Sequence, residues 1–267
     1  MPEITPHLSG RTVLVTGAGG GAVGSGICDA LDRAGARLVV NDVDADAARQ
    51  AASRYDGAFA VEGDISTATD AARIVATAVE RSGSIDALVN NAGVNFGTAA
   101  HLASEEVFDR LYAVDVKGLW LMSRSFAQHR IALGGGGSIL NISSIHAART
   151  QNGFALYAGA KAAVEGLTRG FAVELGRYRI RCNGLAPGAV LDEAKAHDYG
   201  VGDDPVGWVR EHTRTRQVID RAVLPVDIGE VAAFLVSDQA WAVAGQTITV
   251  DAGLGLLLYD RAFTGDV

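Results

Sequence analysis

The chain has 267 residues and a formal net charge of −8, with 48% hydrophobic and 20% charged residues. That balance suits a globular domain and excludes long disorder. The acidic total argues against a nucleic-acid partner, which needs a basic patch to neutralise phosphates. No run reaches the roughly 18 apolar residues of a membrane span.

Met1 to Gly10 has neither the basic nor the apolar region of a signal peptide. Two cysteines, Cys28 and Cys182, cannot build a disulfide framework and lack metal-ligand spacing, so they read as small buried hydrophobes. The expectation is a cytoplasmic protein without a metal, and at this length one domain, 1–267.

Thr12 to Thr16 is a short apolar run that enters a glycine cluster, the signature of a buried strand running into a loop. Helical spacing follows over 25–34 and stops at Gly35. The alternation then continues with a strand at 38–40, a helix from Asp44 to Tyr55, a strand at 58–62 and a helix at 67–82. Beyond these come a strand at 86–90, a long helix over 104–130, a strand at 138–142, a helix over 154–176 and a strand at 180–185. The pattern dissolves over 189–221, and a helix (227–236) and a strand (246–250) close the chain. Alternating strands and helices predict a Rossmann-type, doubly wound α/β fold, a parallel sheet with helices on both faces. The strands are nearly all apolar, as covered faces require.

In such a sheet, ligands bind beyond the carboxyl ends of the strands. The first loop there is Thr16-Gly17-Ala18-Gly19-Gly20-Gly21-Ala22-Val23-Gly24. Its glycines let the backbone approach a pyrophosphate, and the following helix offers N–H donors. Asp42, at the end of the second strand, can accept from both hydroxyls of an adenosine ribose. It would also repel a 2′-phosphate, by about 4 kcal/mol for unit charges about 4 Å apart at an effective dielectric near 20. NAD is therefore expected over NADP, and Asp44 remains free to cap the next helix. Asp64-Ile65 and Asn90-Asn91-Ala92-Gly93 end two further strands and would line the same crevice.

Ser143-Ser144 closes the fifth strand, and Tyr157 and Lys161 share one face of the next helix at i and i+4. A phenol is a poor base near neutral pH. An ammonium beside it favours the ionised form and brings it towards the range of general acid–base catalysis. Ser144 can donate a hydrogen bond to a substrate oxygen.

In order and spacing, these pieces resemble the short-chain dehydrogenase/reductase family over nearly the whole chain, Thr12 to Gly253. Asn183, Pro187-Gly188 and the ending Gly245-Gln246 to Asp251-Ala252-Gly253 belong to the same pattern. The resemblance implies that Tyr157 is the acid–base, that Lys161 binds the nicotinamide ribose and tunes Tyr157, and that Ser144 polarises the substrate carbonyl. Gly17, Gly21, Val23, Gly24, Asp42, Asp64, Ile65, Asn91, Ala92, Gly93, Pro187 and Gly188 would join Tyr157 and Lys161 in holding the dinucleotide. Val190 would contact the nicotinamide carboxamide through its backbone.

Three positions depart from the family pattern. The glycine loop carries one extra residue before Gly24. Asp115, in Val114-Asp115-Val116-Lys117-Gly118, stands where the family has a fourth catalytic residue, an Asn that helps a water reach the lysine. Asp192 replaces a common Thr near the carboxamide. An ionised Asp cannot donate a hydrogen bond, so Asp115 changes the relay.

The segment 189–221 would cover the substrate. With His146, Gln151 and His197 it suits a small, polar molecule such as a sugar or polyol, interconverted between secondary alcohol and ketone, or lactol and lactone. An oxoacyl thioester or hydrophobic ketone is the alternative substrate, and an NAD-binding regulator without catalysis the alternative role. The extension 254–267 carries Leu256-Leu257-Leu258-Tyr259, an awkward exposed patch on a monomer, and is expected to pack on a neighbouring subunit of a homotetramer.

Overall fold

The computed structural model describes residues 6–192 and 203–259. Seven strands form one parallel sheet in the order β3-β2-β1-β4-β5-β6-β7. They are β1 (Thr12–Thr16), β2 (Arg37–Asp42), β3 (Phe59–Glu62), β4 (Ala87–Asn90), β5 (Gly137–Ile142), β6 (Ile180–Pro187) and β7 (Thr247–Val250). The Rossmann-type fold expected from the alternation is the fold observed.

Successive residues of β1 feed opposite cores. Val13 and Val15 pack beneath α1 (Ala22–Arg33), with Ile27 and Leu31, and beneath α8 (Pro225–Val236), with Ile228 and Leu235. Leu14 faces the other way, into a core with Ile74 of α3 (Ala68–Ser82) and Phe126 of α5 (Leu119–Ala132). Both faces are thus dry, and the apolar strands follow from that. The chain order reverses between β1 and β4, and their carboxyl ends open a crevice at that point.

Four local features differ from expectation. Helix α1 begins at Ala22, three residues before the predicted start, although Gly24 and Gly26 are poor helix formers. Packing overrides propensity here: a Cβ on Gly26 would collide with the Pro225 carbonyl of α8, so glycine lets the two helices cross closely.

The helix expected over 104–130 is instead α4 (Glu105–Tyr112), a π-helical turn (Ala113–Gly118) and α5. Asp115 sits in that turn, buried and bonded to other elements, as detailed below. A further helix, α7 (Pro205–Arg216), lies where no pattern was read. Its start signal was local: Asp204 accepts from the Gly207 N–H at 2.9 Å, and Pro205 occupies the first turn. Finally, β7 is an edge strand whose Ile248 is exposed, so its apolar run does not mark a covered strand.

The remaining helices, α2 (Ala45–Ala52) and α6 (Ala155–Leu175), fall close to their predicted spans. Asp44 caps α2, accepting from the N–H groups of Asp46 and Ala47, so Asp42 is not consumed as a cap. Both cysteines are buried, and burial pushes each thiol up to about 12, which removes them as nucleophiles at neutral pH.

Candidate active site

The crevice at the carboxyl ends of the strands is a cleft of about 870 Å³. Its glycine-rich wall is built first. Gly17 adopts φ +61°, and a Cβ there would lie 2.5 Å from the Ala92 Cα, so the loop leaves β1 pressed against the turn after β4. Asn91 secures that contact: its side-chain amide donates to the carbonyls of Thr16 (3.0 Å) and Gly17 (2.9 Å). The Thr16 hydroxyl in turn accepts from the backbone N–H groups of Asn91 and Ala92.

Gly21 precedes α1 with no side chain to cap it, so the helix start faces the cleft with its positive dipole end uncovered. Asp42 is drawn to the same loop. One carboxylate oxygen accepts from the Gly19 N–H at 2.9 Å and the other from the Asp44 N–H at 3.1 Å. Asp64 accepts from the Ser66 N–H at 2.9 Å, and that turn sets Ile65 at the rim.

The opposite half carries the reactive side chains. Ser144 ends the segment after β5, is buried, and accepts from the His146 N–H at 3.2 Å. The neighbouring Ser143 hydroxyl donates to Glu165 of α6 at 3.1 Å, which ties the strand end to that helix. Tyr157 and Lys161 line the cleft from α6, with the ammonium 5.4 Å from the centre of the phenol ring. Lys161 Nζ donates to the Ile142 carbonyl at 3.2 Å and pairs with Asp115 at 3.0 Å. Asp115 also accepts from the Val94 N–H at 2.8 Å.

Every residue expected to hold the dinucleotide, from Gly17 to Val190, lines this one cleft together with Ser144, Tyr157, Lys161 and Asp115. Asp192 lines it as well. Val190 is fixed by a bridge to Val223. The residues expected at the substrate fare differently. His146 stacks edge-on to Tyr157 at 5.5 Å and against Phe154 at 5.0 Å, with Nδ1 3.0 Å from the Thr150 hydroxyl. Burial lowers its pKa and favours the neutral ring. Gln151 is exposed and does not line the cleft. His197 lies outside the described residues.

The sequence reading missed part of the wall. Val43, Ser66, Asn95, Asp109 and Arg110 also line the cleft. Beneath it lies a buried amide chain: Asn90 donates to Ser123 (2.9 Å) and to Asn141 (2.8 Å), and Asn141 donates to Thr168 (2.9 Å). Asn90 and Asn141 stand directly opposite each other on β4 and β5. Only the strand register brings such amides together, so no local pattern announces them.

Among the described residues, no group of His, Cys, Asp and Glu is arranged to hold a metal ion, and no helix is long and apolar enough to cross a membrane.

A family model described as "Enoyl-(Acyl carrier protein) reductase" matches residues 17–255. L-rhamnose 1-dehydrogenase (NAD(P)(+)) of Sphingomonas sp. (strain SKA58) is 33% identical, covering 92% of this chain and 97% of its own. A hydroxynaphthalene reductase-like protein of Metarhizium acridum is 35% identical, covering 94% and 97%. Among solved structures, a gluconate 5-dehydrogenase from Burkholderia cenocepacia, in complex with NADP and tartrate, superposes with a TM-score of 0.85 at 30% identity over 94% of this chain and 98% of its own. The chain belongs to the short-chain dehydrogenase/reductase family. That family is one of oxidoreductases that bind NAD(P).

Proposed function

We propose that this chain is an NAD-dependent oxidoreductase that interconverts a secondary alcohol and a ketone, or a lactol and a lactone, on a small polar substrate such as a sugar or polyol. The observation that carries the reading is the convergence of Ser144, Tyr157 and Lys161 with the glycine loop and Asp42 in a single cleft. The residues present fit a dinucleotide. The uncapped start of α1 suits a pyrophosphate, and the Asp42 carboxylate, held against the loop, suits the hydroxyls of an unphosphorylated ribose.

When bound, the nicotinamide supplies the hydride acceptor or donor. The chain's own groups manage the proton and the geometry. In oxidation, the Tyr157 phenolate takes the proton of the substrate hydroxyl as the carbinol C–H electron pair departs as hydride, and in reduction the phenol returns it to the carbonyl oxygen. Ser144 donates a hydrogen bond to that oxygen. Lys161, with its ammonium 5.4 Å from the phenol ring centre, would assist Tyr157 and hold the nicotinamide ribose, and Pro187, Gly188 and Val190 would hold the carboxamide end. The chain acts as one domain, with the segment 189–221, of which 193–202 lie outside the described residues, on the substrate side.

Polar groups around the cleft, with His146 beside Tyr157, support the polar-substrate reading, as do the rhamnose and gluconate dehydrogenases among its relatives. The hydroxynaphthalene reductase-like relative and the acyl-carrier-protein description keep a hydrophobic ketone or oxoacyl thioester as the second reading. The test is NADH absorbance with NAD or NADP and a panel of sugars, polyols and secondary alcohols, run in reverse with ketones. The expected result is turnover with NAD that falls by about 10²–10⁴ in Tyr157→Phe. Tight NADH binding without turnover on either panel would instead support a non-catalytic, NAD-binding regulator.

A further inference from the structure

Among the described residues, Asp115 and Lys161 are the two charged side chains buried in the wall of the cleft. The others that line it, Asp42, Asp64, Asp109, Arg110 and Asp192, are all at least partly exposed. Asp115 Oδ2 stands 3.0 Å from Lys161 Nζ, with 0% and 6% of the respective side chains exposed. Both partners are pinned from other elements: Asp115 by the Val94 N–H after β4, and Lys161 by the Ile142 carbonyl of β5. The nearest acid on α6, Glu165, is engaged by the Ser143 hydroxyl, and His146 across the Tyr157 ring is favoured neutral. With Tyr157 as the neutral phenol, the ammonium therefore has one buried counter-charge among the described residues, Asp115, and the pair leaves this wall electrically neutral.

Neutrality matters because the two states of a nicotinamide differ in charge. The oxidised ring is a cation and the reduced ring is not. A lone buried ammonium would repel the oxidised ring and leave the reduced one nearly unaffected, since charges in a low-dielectric wall are poorly screened. We infer that Asp115 sets the balance between oxidised and reduced cofactor, by cancelling the Lys161 charge and letting the cationic form bind. Asp115 is thus a positioning residue that acts through Lys161. This inference rests on the dinucleotide reading above, with the redox end at Tyr157 and Lys161.

Holding the oxidised form more tightly lowers the potential of the bound couple. A tenfold change in the ratio of the two affinities corresponds to about 30 mV for two electrons. In the native chain, Asp115 therefore makes the bound reduced cofactor a stronger hydride donor than it would be with a neutral residue at this position. The inference thus favours reduction of a carbonyl as the direction the site promotes.

The experiment is equilibrium binding of NAD and NADH, by calorimetry and by NADH fluorescence, to the native chain and to Asp115→Asn, which keeps the shape and removes the charge. The expected result is NAD weakened at least about tenfold and NADH by less than about threefold. Asp115→Ser, smaller and also uncharged, should shift the ratio in the same direction, and it decides the matter if the Asn variant does not fold. Equal weakening of both forms in the variants would mean that Asp115 only supports the local structure, and an unchanged ratio would mean that its charge is not felt at the ring. Either result overturns the inference while leaving the dinucleotide reading intact. Absence of binding of both forms to the native chain overturns both.

Discussion

At the scale of single residues, the site rests on side chains whose partners are far away in sequence. Asp42 has both carboxylate oxygens engaged by backbone N–H groups, from Gly19 and Asp44, so its negative charge is held beside the glycine loop. On the NAD reading proposed above, replacing it by Ala removes the charge that would oppose a 2′-phosphate. Asp42→Ala should lower the preference for NAD over NADP by at least about tenfold, read as the ratio of kcat/KM values with the two cofactors. An unchanged ratio would show that cofactor choice lies elsewhere. Much of this scale was legible in the sequence, because Gly17, Asp42, Asn91, Ser144 and Pro187 all punctuate strand ends. Their partners were not. Asp115 was expected to act on Lys161 through a water, at the position of the family's Asn; the direct ion pair was not expected, because it forms only when α6 and the π-helical turn pack around β4 and β5.

At the scale of elements, α1 and α8 cross where Gly26 and Gly229 abut, and a Cβ on either would collide with backbone of the other helix. The uncapped start of the same helix α1 lies at the cleft. Gly26→Ala should destabilise the fold by about 1–3 kcal/mol through overpacking, measured as the chemical-denaturation midpoint and slope, and should also weaken NADH binding. A variant as stable as the native chain would mean that the helices separate at no cost. The broken helix around Ala113–Gly118 and the extra helix α7 mark where periodicity reaches its limit as a guide. The first continues the helical spacing through its π turn. The second is announced only by its Asp204-Pro205 start, since Val209 and Thr213 are the main residues it buries beyond that first turn.

At the scale of the molecule, three histidines, His129, His146 and His212, have their pKa values lowered by burial. Below about 6.5 the unfolded chain binds more protons than the folded one at these positions, so their contribution is present above that pH and is lost as pH falls towards the lowered values. The melting temperature should therefore drop as pH falls below about 6.5. His129→Gln should make that slope shallower, because its ring nitrogen accepts from the Ile85 N–H only when neutral. A flat profile over this range would refute the assignment.

Leu256, Leu258 and Tyr259 are exposed, as are Phe108 and Trp120 on α4 and α5. We propose that such surfaces are covered in a homotetramer. Light scattering coupled to size exclusion should give about four times the 27.7 kDa chain mass, and a monomeric mass would defeat the proposal.

By itself, the sequence determined the fold class and marked the residues that the structure gathers in one cleft, because strand alternation, glycine punctuation and i, i+4 spacing are local properties that survive without the fold. Tertiary structure decided which side chains touch directly. It placed Asp115 against Lys161, turned Gln151 outward, set His146 against the Tyr157 ring and broke the long helix at Ala113. Those outcomes depend on strand register and helix crossing, which are set by burying two apolar faces at once, and the Asp115–Lys161 pair joins positions too far apart in the chain for any local pattern to hold.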